Sequence, residues 1–398
     1  MSQIKTINAD VVICGGGLSG VICSLALSKL GMSICIIEKL KHDLQTIKDT
    51  RSTAYLLPSI DFLVKIGIWK HLSKNINPLK ILSIINSKNG YPFNQVLNET
   101  QFNSKEISKE YFGCNISNCE TKQILMKLVK KDKLINYINN EIVNIENFEE
   151  HLIINLRNKL SINTKLLIGA DGRNSFIRNY YNIKTQITDI KQKAVTFIIQ
   201  HQKSHNNISY EIYNTGGPFT TVPLKSKEEK RSAVIWVNDS IKIDKLLGLN
   251  KFELQSEINK RSCNKLGEIS VVSELQSSNV NAQLADKFVD NRMILIGEAA
   301  HALPPIGAQG LNLTIRDIKV IFNLIRKYQY SIGSNEMVAE FNVKRLLDVK
   351  IRTTSVNILN KISYSDNLII RRTRDLGLSF LQQAKPIKYL LMRYGLGS

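Results

Sequence analysis

Hydrophobic and polar positions near the amino terminus repeat with the periods of a strand, a helix and a second strand. The apolar run from Ala9 to Cys14 predicts a buried strand, and the apolar positions from Leu18 to Leu30 predict a helix. A second strand is expected from Ser33 to Ile37, and it ends at Glu38. This order predicts a βαβ unit, in which a helix connects two parallel strands.

Three glycines stand between the first strand and the helix, with the GxGxxG spacing of Gly15, Gly17 and Gly20. Glycines at this turn let the backbone approach a pyrophosphate, and the amides that begin the helix favour negative charge. Glu38 follows about 20 residues further on, where an acid can bind ribose hydroxyls. The arrangement therefore indicates a dinucleotide site, and the acid favours an unphosphorylated ribose, as in FAD or NAD. A tight turn without a ligand is the structural alternative.

A second glycine-containing segment, residues 289–317, predicts a buried strand, a turn, a loop and a helix. Its strand covers residues 293–296, Gly297 opens the turn, and Glu298 lies at the carboxyl end of the strand, where α/β sheets bind ligands. The predicted apolar side of the helix consists of Leu311, Ile315, Ile318, Phe322 and Ile325. The backbone amides that begin this helix suit a negative charge, and they belong to Gln309, Gly310, Leu311 and Asn312.

Strand-like patterns dominate the middle of the chain. Apolar and polar positions alternate over residues 80–102, on both sides of Asn89-Gly90, and predict a hairpin. Further strand patterns over residues 185–280 predict a β-sheet. Core packing is expected for Tyr210 and Trp236 on these strands. Helices are expected at Arg51 and over residues 122–131 and 334–362. The predicted apolar side of the longer helix consists of Phe341, Leu346, Val349, Val356 and Leu359.

Composition narrows the classes of protein. The chain has 398 residues, 43% of them hydrophobic, which suffices for a large core and suggests two intertwined domains. No apolar stretch reaches the roughly 18 residues of a membrane span, and the amino terminus lacks the apolar core of a signal peptide, so a cytoplasmic location is expected. The six cysteines form no CxxC pair, and Cys14, Cys23 and Cys35 are expected to be small core residues.

The net charge of +20 raises the question of an anionic partner. The lysines are scattered, and no basic cluster is interleaved with aromatic residues, so nucleic-acid binding is not expected. A weak affinity for an anionic membrane surface fits this charge better, because each lysine or arginine near lipid headgroups contributes a little. The sequence leaves this contact open.

Three motifs, in order along the chain, resemble those of a known family. They are the GxGxxG loop, the Asp171-Gly172 pair within LIGADGRNSFIR, and the Gly297-Glu298 pair; the segment DTRSTAYLLPSIDFLVKIGIW adds Arg51. With these motifs the chain resembles the ubiquinone-biosynthesis hydroxylase family of FAD-dependent (class A, para-hydroxybenzoate-hydroxylase-like) aromatic monooxygenases. The resemblance covers nearly the whole chain and includes residues 216–224, Gly377 and Gly395.

Together with the strand pattern, the resemblance implies an α/β fold with a Rossmann-like FAD-binding domain, an inserted β-sheet substrate domain and C-terminal helices. The FAD-binding domain is expected over residues 1–75, 103–180 and 281–350, the substrate domain over 76–102 and 181–280, and the helical segment over 351–398. The positions expected to bind FAD are Gly15, Gly17, Gly20, Glu38, Arg51, Asp171, Gly297, Glu298, Pro305, Gln309, Gly310, Leu311 and Asn312. No metal ligand and no side-chain acid or base is assigned.

The resemblance also implies a reaction. Reduced FAD reacts with molecular oxygen, and the resulting hydroperoxide hydroxylates the aromatic ring of a polyprenylated phenol in ubiquinone biosynthesis. Because the chain has one GxGxxG loop, NAD(P)H or another electron donor is expected to act as a transient reductant. A quinone-biosynthesis protein assembly and a peripheral contact with the inner face of the membrane are further candidate partners.

Three features depart from the family pattern, and one of them is the lack of a clear match to the family arginine near Lys122 and Gln123. Glu298 stands where Asp is usual, so its carboxylate is displaced by about 1.5 Å, and Thr314 stands where Gly is usual. A flavin-weak, non-catalytic scaffold in a quinone-biosynthesis assembly is therefore an alternative function, and another isoprenoid-acting flavoenzyme of the same fold is a third. His301 is expected to form a structural hydrogen bond rather than to catalyse, and Asp171 is also a candidate cap for the helix that starts near Ser175.

Overall fold

A computed structural model describes residues 5–39, 49–214, 217–364, 376–377, 380 and 384–396. Gly216, which opens the predicted substrate-side segment, lies outside these residues. The strands are β1 (Lys5–Cys14), β2 (Ile34–Glu38), β3 (Ser52–Leu56), β4 (Asn77–Leu79), β5 (Ile81–Lys88), β6 (Gln95–Asn103), β7 (Gly113–Ser117), β8 (Ile135–Asn139), β9 (Ile142–Asn147), β10 (Leu152–Leu156), β11 (Leu160–Gly169), β12 (Thr185–His201), β13 (Ile208–Tyr213), β14 (Phe219–Pro223), β15 (Arg231–Asp239), β16 (Ile269–Val271), β17 (Gln276–Ala285), β18 (Val289–Asp290), β19 (Met293–Leu295) and β20 (His301–Ala302).

The helices of the described residues follow the same chain order. They are α1 (Leu18–Ser28), α2 (Leu57–Lys65), α3 (Trp69–Leu72), α4 (Asn118–Lys131), α5 (Phe176–Tyr180), α6 (Ser240–Leu247), α7 (Lys251–Arg261), α8 (Gln309–Lys327), α9 (Asn335–Tyr364) and α10 (Lys385–Leu396). Short 3-10 turns cover Ser104–Ile107 and Gly297–Ala299. None of these helices is both long and apolar enough to cross a bilayer.

The central sheet has the strand order β18-β19-β11-β1-β2-β8, and β10 and β9 extend it from β11. Strand β1 runs parallel to β2 and to β11, so that Val11 stands beside both Ile34 and Leu166. Strand β19 runs parallel to β11, and β8 runs parallel to β2. The carboxyl ends of these parallel strands therefore meet at one edge of the sheet.

Both faces of the central sheet are buried. Helix α1 packs on β1 and β2 and also contacts α4 and α8. Val12 and Ile13 are adjacent on β1, so their side chains point to opposite faces, and both are fully buried. This is why the strand reads as a continuous apolar run rather than as an alternating one.

A second sheet has the order β20-β17-β12-β15-β14-β13-β5-β6, with β16 beside β12. It joins the hairpin β5-β6, which was predicted around Asn89-Gly90, to strands that begin at residue 185. One face packs against α6 and α7 and forms a second core. The core packing predicted for Tyr210 and Trp236 is confirmed, and the Trp236 ring meets Phe219 edge-on at 5.4 Å between centroids.

The predicted fold class is confirmed, and some local predictions are wrong. Arg51 does not lie on a helix: it directly precedes β3, which pairs with β7, and the helix begins only at Leu57. Leu359 is 52% exposed, because α9 buries the side that carries Phe341 and Val349. Helices α6 and α7 lie where only strands were expected. The division into domains stays a prediction, and its bound after residue 350 falls within α9.

Candidate cofactor site

The predicted motifs converge at the carboxyl edge of the central sheet. The GxGxxG loop follows β1, Glu38 ends β2, the Asp-Gly loop follows β11, and the Gly-Glu turn follows β19. Two backbone bonds join neighbouring strand ends: Gly15 N–H donates to Ile37 O at 2.8 Å, and Ala170 N–H donates to Cys14 O at 2.8 Å. Segments that are distant in sequence thus line one crevice, because parallel strands end on the same side.

The GxGxxG loop is too tightly packed for side chains at two of its glycines. A Cβ atom on Gly15 would lie 2.4 Å from the carbonyl oxygen of Ala170, and Gly15 has the left-handed φ of +111°. A Cβ atom on Gly20 would lie 1.9 Å from the carbonyl oxygen of Gly15. In contrast, a Cβ atom on Gly17, which precedes α1, would meet no described atom within 4 Å. Gly15 and Gly20 therefore shape the loop, and Gly17 faces its open side.

Glu38 folds back onto the glycine loop. Its carboxylate accepts a hydrogen bond from the backbone N–H of Gly16. The hydroxyl of Tyr137 lies beside the same glycine, and burial together with the charge of Glu38 raises the pKa of Tyr137 to about 12. The acid at the end of β2 is thus held at the mouth of the loop, where a ribose would lie next to the pyrophosphate.

Asp171 serves the start of a helix and keeps one oxygen for another partner. Its Oδ2 accepts the backbone N–H of Ile177 at 3.1 Å, while the hydroxyl of Ser175 caps α5. Its Oδ1 is buried and has no hydrogen-bond partner among the described residues. Burial raises the pKa of Asp171 even though the bonds from Ser175 and Ile177 oppose this shift. The predicted capping role is confirmed, and the orphaned oxygen leaves capacity for a ligand.

Glu298 is bound by an arginine that the sequence analysis did not single out. Arg173 donates to Oε1 of Glu298 from Nε at 3.1 Å and from Nη2 at 3.0 Å. Its Nη1 also reaches the carbonyl oxygen of Asn279 on β17 at 3.3 Å. Arg173 therefore connects the Asp-Gly loop, the Gly-Glu turn and the second sheet. Its position two residues after Asp171 was the feature of the sequence that could have indicated this role.

Arg51 is held in place by Asp49. Its Nε and Nη2 each donate to a different carboxylate oxygen of Asp49, both at 2.8 Å, and the side chain stays 63% exposed. Burial raises the pKa of Asp49, but the bonds from Arg51 outweigh it and hold this pKa below its usual value. Asp49 raises the pKa of Arg51, and Glu298 adds to this, so the guanidinium lies within electrostatic reach of the Gly-Glu turn.

The first turn of α8 supplies the amides that were predicted for negative charge. The helix begins at Gln309, and Ala308 before it has a left-handed φ of +54° and a side chain that cannot cap. The first amides of a helix have no partner within it. Gly310 is exposed, and Leu311 is half-buried. Pro305, which precedes this turn by a few residues, is also exposed.

Asn312 differs from its neighbours because its side chain is used within the protein. Its Oδ1 accepts the backbone N–H of Leu56 at 2.9 Å, and its Nδ2 donates to Ala54 O at 2.8 Å. These bonds fasten the first turn of α8 to β3. The side chain therefore positions the helix, and the backbone amide of Asn312, four residues after the N-cap Ala308, is the first that bonds within α8.

Behind the Gly-Glu turn lies a buried charge network. Asp317 Oδ2 bonds to His301 Nε2 at 2.7 Å and accepts the N–H of Gly297 at 3.3 Å, while its Oδ1 accepts Arg345 Nε at 2.7 Å. Burial raises the pKa of Asp317, but His301 and Arg345 more than offset this and lower it. The structural role expected for His301 agrees with this geometry. No spacing in the sequence indicated that Arg345 on α9 would complete the network.

Comparison with known proteins identifies the family. A family model for an FAD binding domain matches residues 8–344, most of the chain. The chain belongs to this FAD-binding family. The predicted cofactor, FAD, is thereby confirmed.

Named relatives of this FAD-binding protein are hydroxylases. The ubiquinone hydroxylase UbiL of Rhodospirillum rubrum is 26% identical over 98% of this chain and 90% of its own length. The 3-demethoxyubiquinol 3-hydroxylase of Escherichia coli is 22% identical over 98% of both chains. The crystal structure of p-nitrophenol 4-monooxygenase PnpA from Pseudomonas putida has a TM-score of 0.78 at 17% identity, over 98% of this chain and 97% of that one. The predicted resemblance to class A monooxygenases of ubiquinone biosynthesis is confirmed.

Proposed function

We propose that this FAD-binding protein is a monooxygenase that hydroxylates the aromatic ring of a polyprenylated phenol in ubiquinone biosynthesis. The observation that carries the proposal is the convergence of four strand-end segments and the first turn of α8 on one crevice. The named relatives support the choice of substrate, since they span the whole chain and are ubiquinone-pathway hydroxylases by name. NAD(P)H or another donor is the proposed reductant.

The residues of the crevice fit FAD. The open side of Gly17 admits a pyrophosphate against the amino end of α1, with Gly15 and Gly20 shaping the turn. We assign the ribose hydroxyls to Glu38. Asp171, with its orphaned Oδ1, and the Gly297-Glu298 turn are assigned to the polar linker between the two ends of the cofactor.

The remaining assigned residues lie near the flavin end of the proposed site. When bound, FAD supplies the oxygen-activating and redox chemistry of the reaction. The amides of Gln309, Gly310 and Leu311 begin α8 and would stabilise negative charge on the reduced ring, with Asn312 positioning this turn. Pro305 is assigned to the face where oxygen and substrate meet. Arg51 is assigned to the cofactor, with Asp49 fixing its orientation.

A flavin-weak scaffold is the second candidate function, and one observation favours it. Glu298 is already engaged by Arg173, so its carboxylate must keep or exchange this partner when a cofactor binds. Absorbance of the purified protein and titration with FAD separate the two functions. The monooxygenase requires stoichiometric flavin, and a protein that stays colourless under saturating FAD would be the scaffold. Complementation of hydroxylase-deficient cells, with identification of the accumulated precursor, then tests the substrate.

A contact with the cytoplasmic face of the membrane is part of this proposal. Helix α9 carries an exposed apolar row on the side opposite its buried residues: Val343, Leu347, Ile351 and Ile358 are each at least half exposed. Lys350 and Lys361 are exposed on the same helix, and residues 349–365 contain no Asp or Glu. Apolar side chains flanked by lysines suit an anionic lipid surface, where a polyprenylated substrate would reside. A protein assembly would be the competing occupant of this surface.

A further inference from the structure

The two faces of the second sheet have different surroundings. Side chains alternate between faces along each strand. On one face Phe219, Trp236 and Ile212 are buried against α6 and α7. On the other face, Glu211, Thr220 and Ile235 are only half-buried, although Tyr213 and Val237 on the same face are buried. This second face, called the open face below, is therefore less completely covered around Glu211, Thr220 and Ile235 than the face that packs on α6 and α7.

The open face carries one continuous row of residues that stand directly opposite each other on successive strands. Thr196 on β12 pairs with Ile235 on β15, Ile235 with Thr220 on β14, and Thr220 with Glu211 on β13. Ile84 on β5 follows Glu211 in the same row. With strands about 4.8 Å apart, Glu211 lies about 14 Å from Thr196.

The row begins at the candidate cofactor site. Thr196 hydrogen-bonds through its hydroxyl to Thr50 at 3.1 Å, and Thr50 directly precedes Arg51. Gln276, opposite Thr196 on β17, also accepts from the hydroxyl of Thr50 at 3.1 Å. The open face therefore extends from the segment that carries Arg51 toward Glu211, over a length that suits an aromatic ring lying beside a cofactor.

Glu211 is the carboxylate of this row, and its partner is a phenol. Oε1 accepts a hydrogen bond from the hydroxyl of Tyr213, two residues along the same strand. Oε2 accepts no hydrogen bond from any residue that the structure describes, although an ionised carboxylate can accept several. Burial raises the pKa of Glu211, and the bond from Tyr213 opposes this shift.

The surroundings of Glu211 contain no countercharge in the described residues. Thr220 and Ile84 stand on either side of it, and β14 carries no ionisable residue. Glu99 on β6 provides the contrast, since it points to the opposite face. Burial raises the pKa of Glu99, but Lys265 at 2.6 Å and Ser83 outweigh this and lower it. Glu99 is thus paired with a cation, whereas Glu211 has no cationic partner among the described residues.

We propose that Glu211 accepts the proton of the substrate's phenol hydroxyl, with Tyr213 holding the carboxylate in place. The proposal rests on the proposed function, because it needs a phenol in the crevice. In this step the phenol O–H bond breaks and an O–H bond forms on Oε2 of Glu211, and the electron pair stays on the phenolate oxygen. The phenolate is more electron-rich than the phenol, so its ring reacts more readily with an electrophilic oxygen. Proton transfer to a positioned side chain typically contributes about 10²–10⁴-fold to a rate.

The test compares FAD-loaded wild type with Glu211→Gln, Tyr213→Phe and the control Glu99→Gln, using geranylphenol as the probe. Ultraviolet difference spectra without oxygen report whether the bound probe is phenol or phenolate, independently of turnover. Because a free phenol ionises only near pH of about 10, far above the range of a carboxyl group, we expect the bound probe to be a phenol at neutral pH in wild type and in E211Q, and the proton to move only as the ring reacts. At neutral pH, kcat/KM of E211Q should fall about 10²–10⁴-fold and recover as the pH rises.

Flavin content and the melting temperature serve as checks on folding for each variant. Tyr213→Phe keeps the carboxylate and should lose less of kcat/KM than E211Q does, and Glu99→Gln should behave like wild type. An unchanged kcat/KM of E211Q at neutral pH would overturn the assignment, as would an equal loss in Glu99→Gln. If FAD-loaded wild type neither binds nor hydroxylates the probe, the proposed function itself fails, and this inference fails with it.

Discussion

Arg173 and Glu298 form an ion pair, at 3.0 Å between Nη2 and Oε1, that joins the loop after β11 to the turn after β19. The two residues are 125 positions apart in sequence, and they meet because β11 and β19 are parallel neighbours. Glu298 is the residue that departs from the usual Asp of the family. The longer side chain has a partner of matching reach in Arg173, so the departure is accommodated locally.

The first prediction contrasts this exposed pair with the buried one between Arg345 and Asp317. The side chains of Arg173 and Glu298 are 39% and 50% exposed, so Arg173→Ala should change the free energy of unfolding by at most about 1 kcal/mol. Arg345→Met leaves the carboxylate of Asp317 buried without its cation, and should cost about 3–5 kcal/mol. Urea unfolding of both variants measures this. Equal losses of unfolding free energy in the two variants would contradict the expectation that the buried pair contributes more to stability than the exposed pair.

Local patterns predicted the elements that carry the site. The segments ADVVIC and residues 293–296 are short apolar runs followed by glycine, and such runs form covered parallel strands whose ends bind ligands. The position of Glu38 followed from the same reasoning. Helix α7 could also have been predicted, because Asn250 and Glu253 form a capping box whose spacing is visible in the sequence.

Contacts that depend on strand pairing could not be predicted. Glu211 lies on the face of the second sheet opposite to α6 and α7 only because β13 pairs with β14 on one side and, in parallel, with β5 on the other, and a shift of one residue would reverse its face. Likewise, Arg345 reaches Asp317 only through the packing of α9 on α8. Neither relationship has a local periodicity that a single sequence displays.

The second prediction concerns His201 and the dependence of stability on pH. Burial lowers the pKa of His201 from 6.5 to about 4, and nearby His205 and Lys230 add to this, whereas the bond to the Lys203 carbonyl opposes it. Below pH 6.5 the imidazole of His201 binds a proton in the unfolded chain but not in the folded chain. Stability should therefore fall between pH 6.5 and 4, by an amount on the order of 3 kcal/mol from this group.

The comparison variant for this prediction is His201→Gln. Glutamine can still bond to the Lys203 carbonyl and to Ser232, the two partners of His201 at 2.7 and 3.1 Å, but it cannot titrate. The free energy of unfolding, measured by urea titration at several pH values, should then vary less between pH 6.5 and 4 than in wild type. An unchanged slope in the variant would show that His201 is not the titrating group.

The third prediction tests the exposed row of α9 against an anionic bilayer. Leu347→Glu adds a negative charge to a side chain that is 65% exposed, so it should weaken binding to phosphatidylglycerol-containing vesicles without destabilising the fold. Val64→Glu on α2, at 56% exposure, is the matched control and should bind as wild type does. Vesicle flotation measures the difference. Equal binding by both variants would place the membrane contact elsewhere or exclude it.

The last prediction separates two functions of the glycine loop, which are to form the tight turn and to leave room for the pyrophosphate. Gly15→Val places a Cβ atom 2.4 Å from the Ala170 carbonyl oxygen at a left-handed φ, so flavin binding should be abolished along with part of the stability. A Cβ atom on Gly17 meets no described atom within 4 Å, and the φ of −67° is one that valine adopts, so the apoprotein of Gly17→Val should unfold at the same temperature as wild type.

The branched side chain of the Gly17 variant would nevertheless occupy the open side of the loop, where the pyrophosphate is proposed to lie. The affinity for FAD, measured by fluorescence titration, should therefore fall at least about tenfold, equivalent to about 1.4 kcal/mol. Gly31→Ala makes a poor control because Gly31 has a φ of +78°. An added Cβ atom on Gly310 would also meet no described atom within 4 Å, so Gly310→Ala tests the first turn of α8 in the same way. Normal flavin affinity in Gly17→Val would exclude a pyrophosphate from this loop, because no other part of the variant is expected to change.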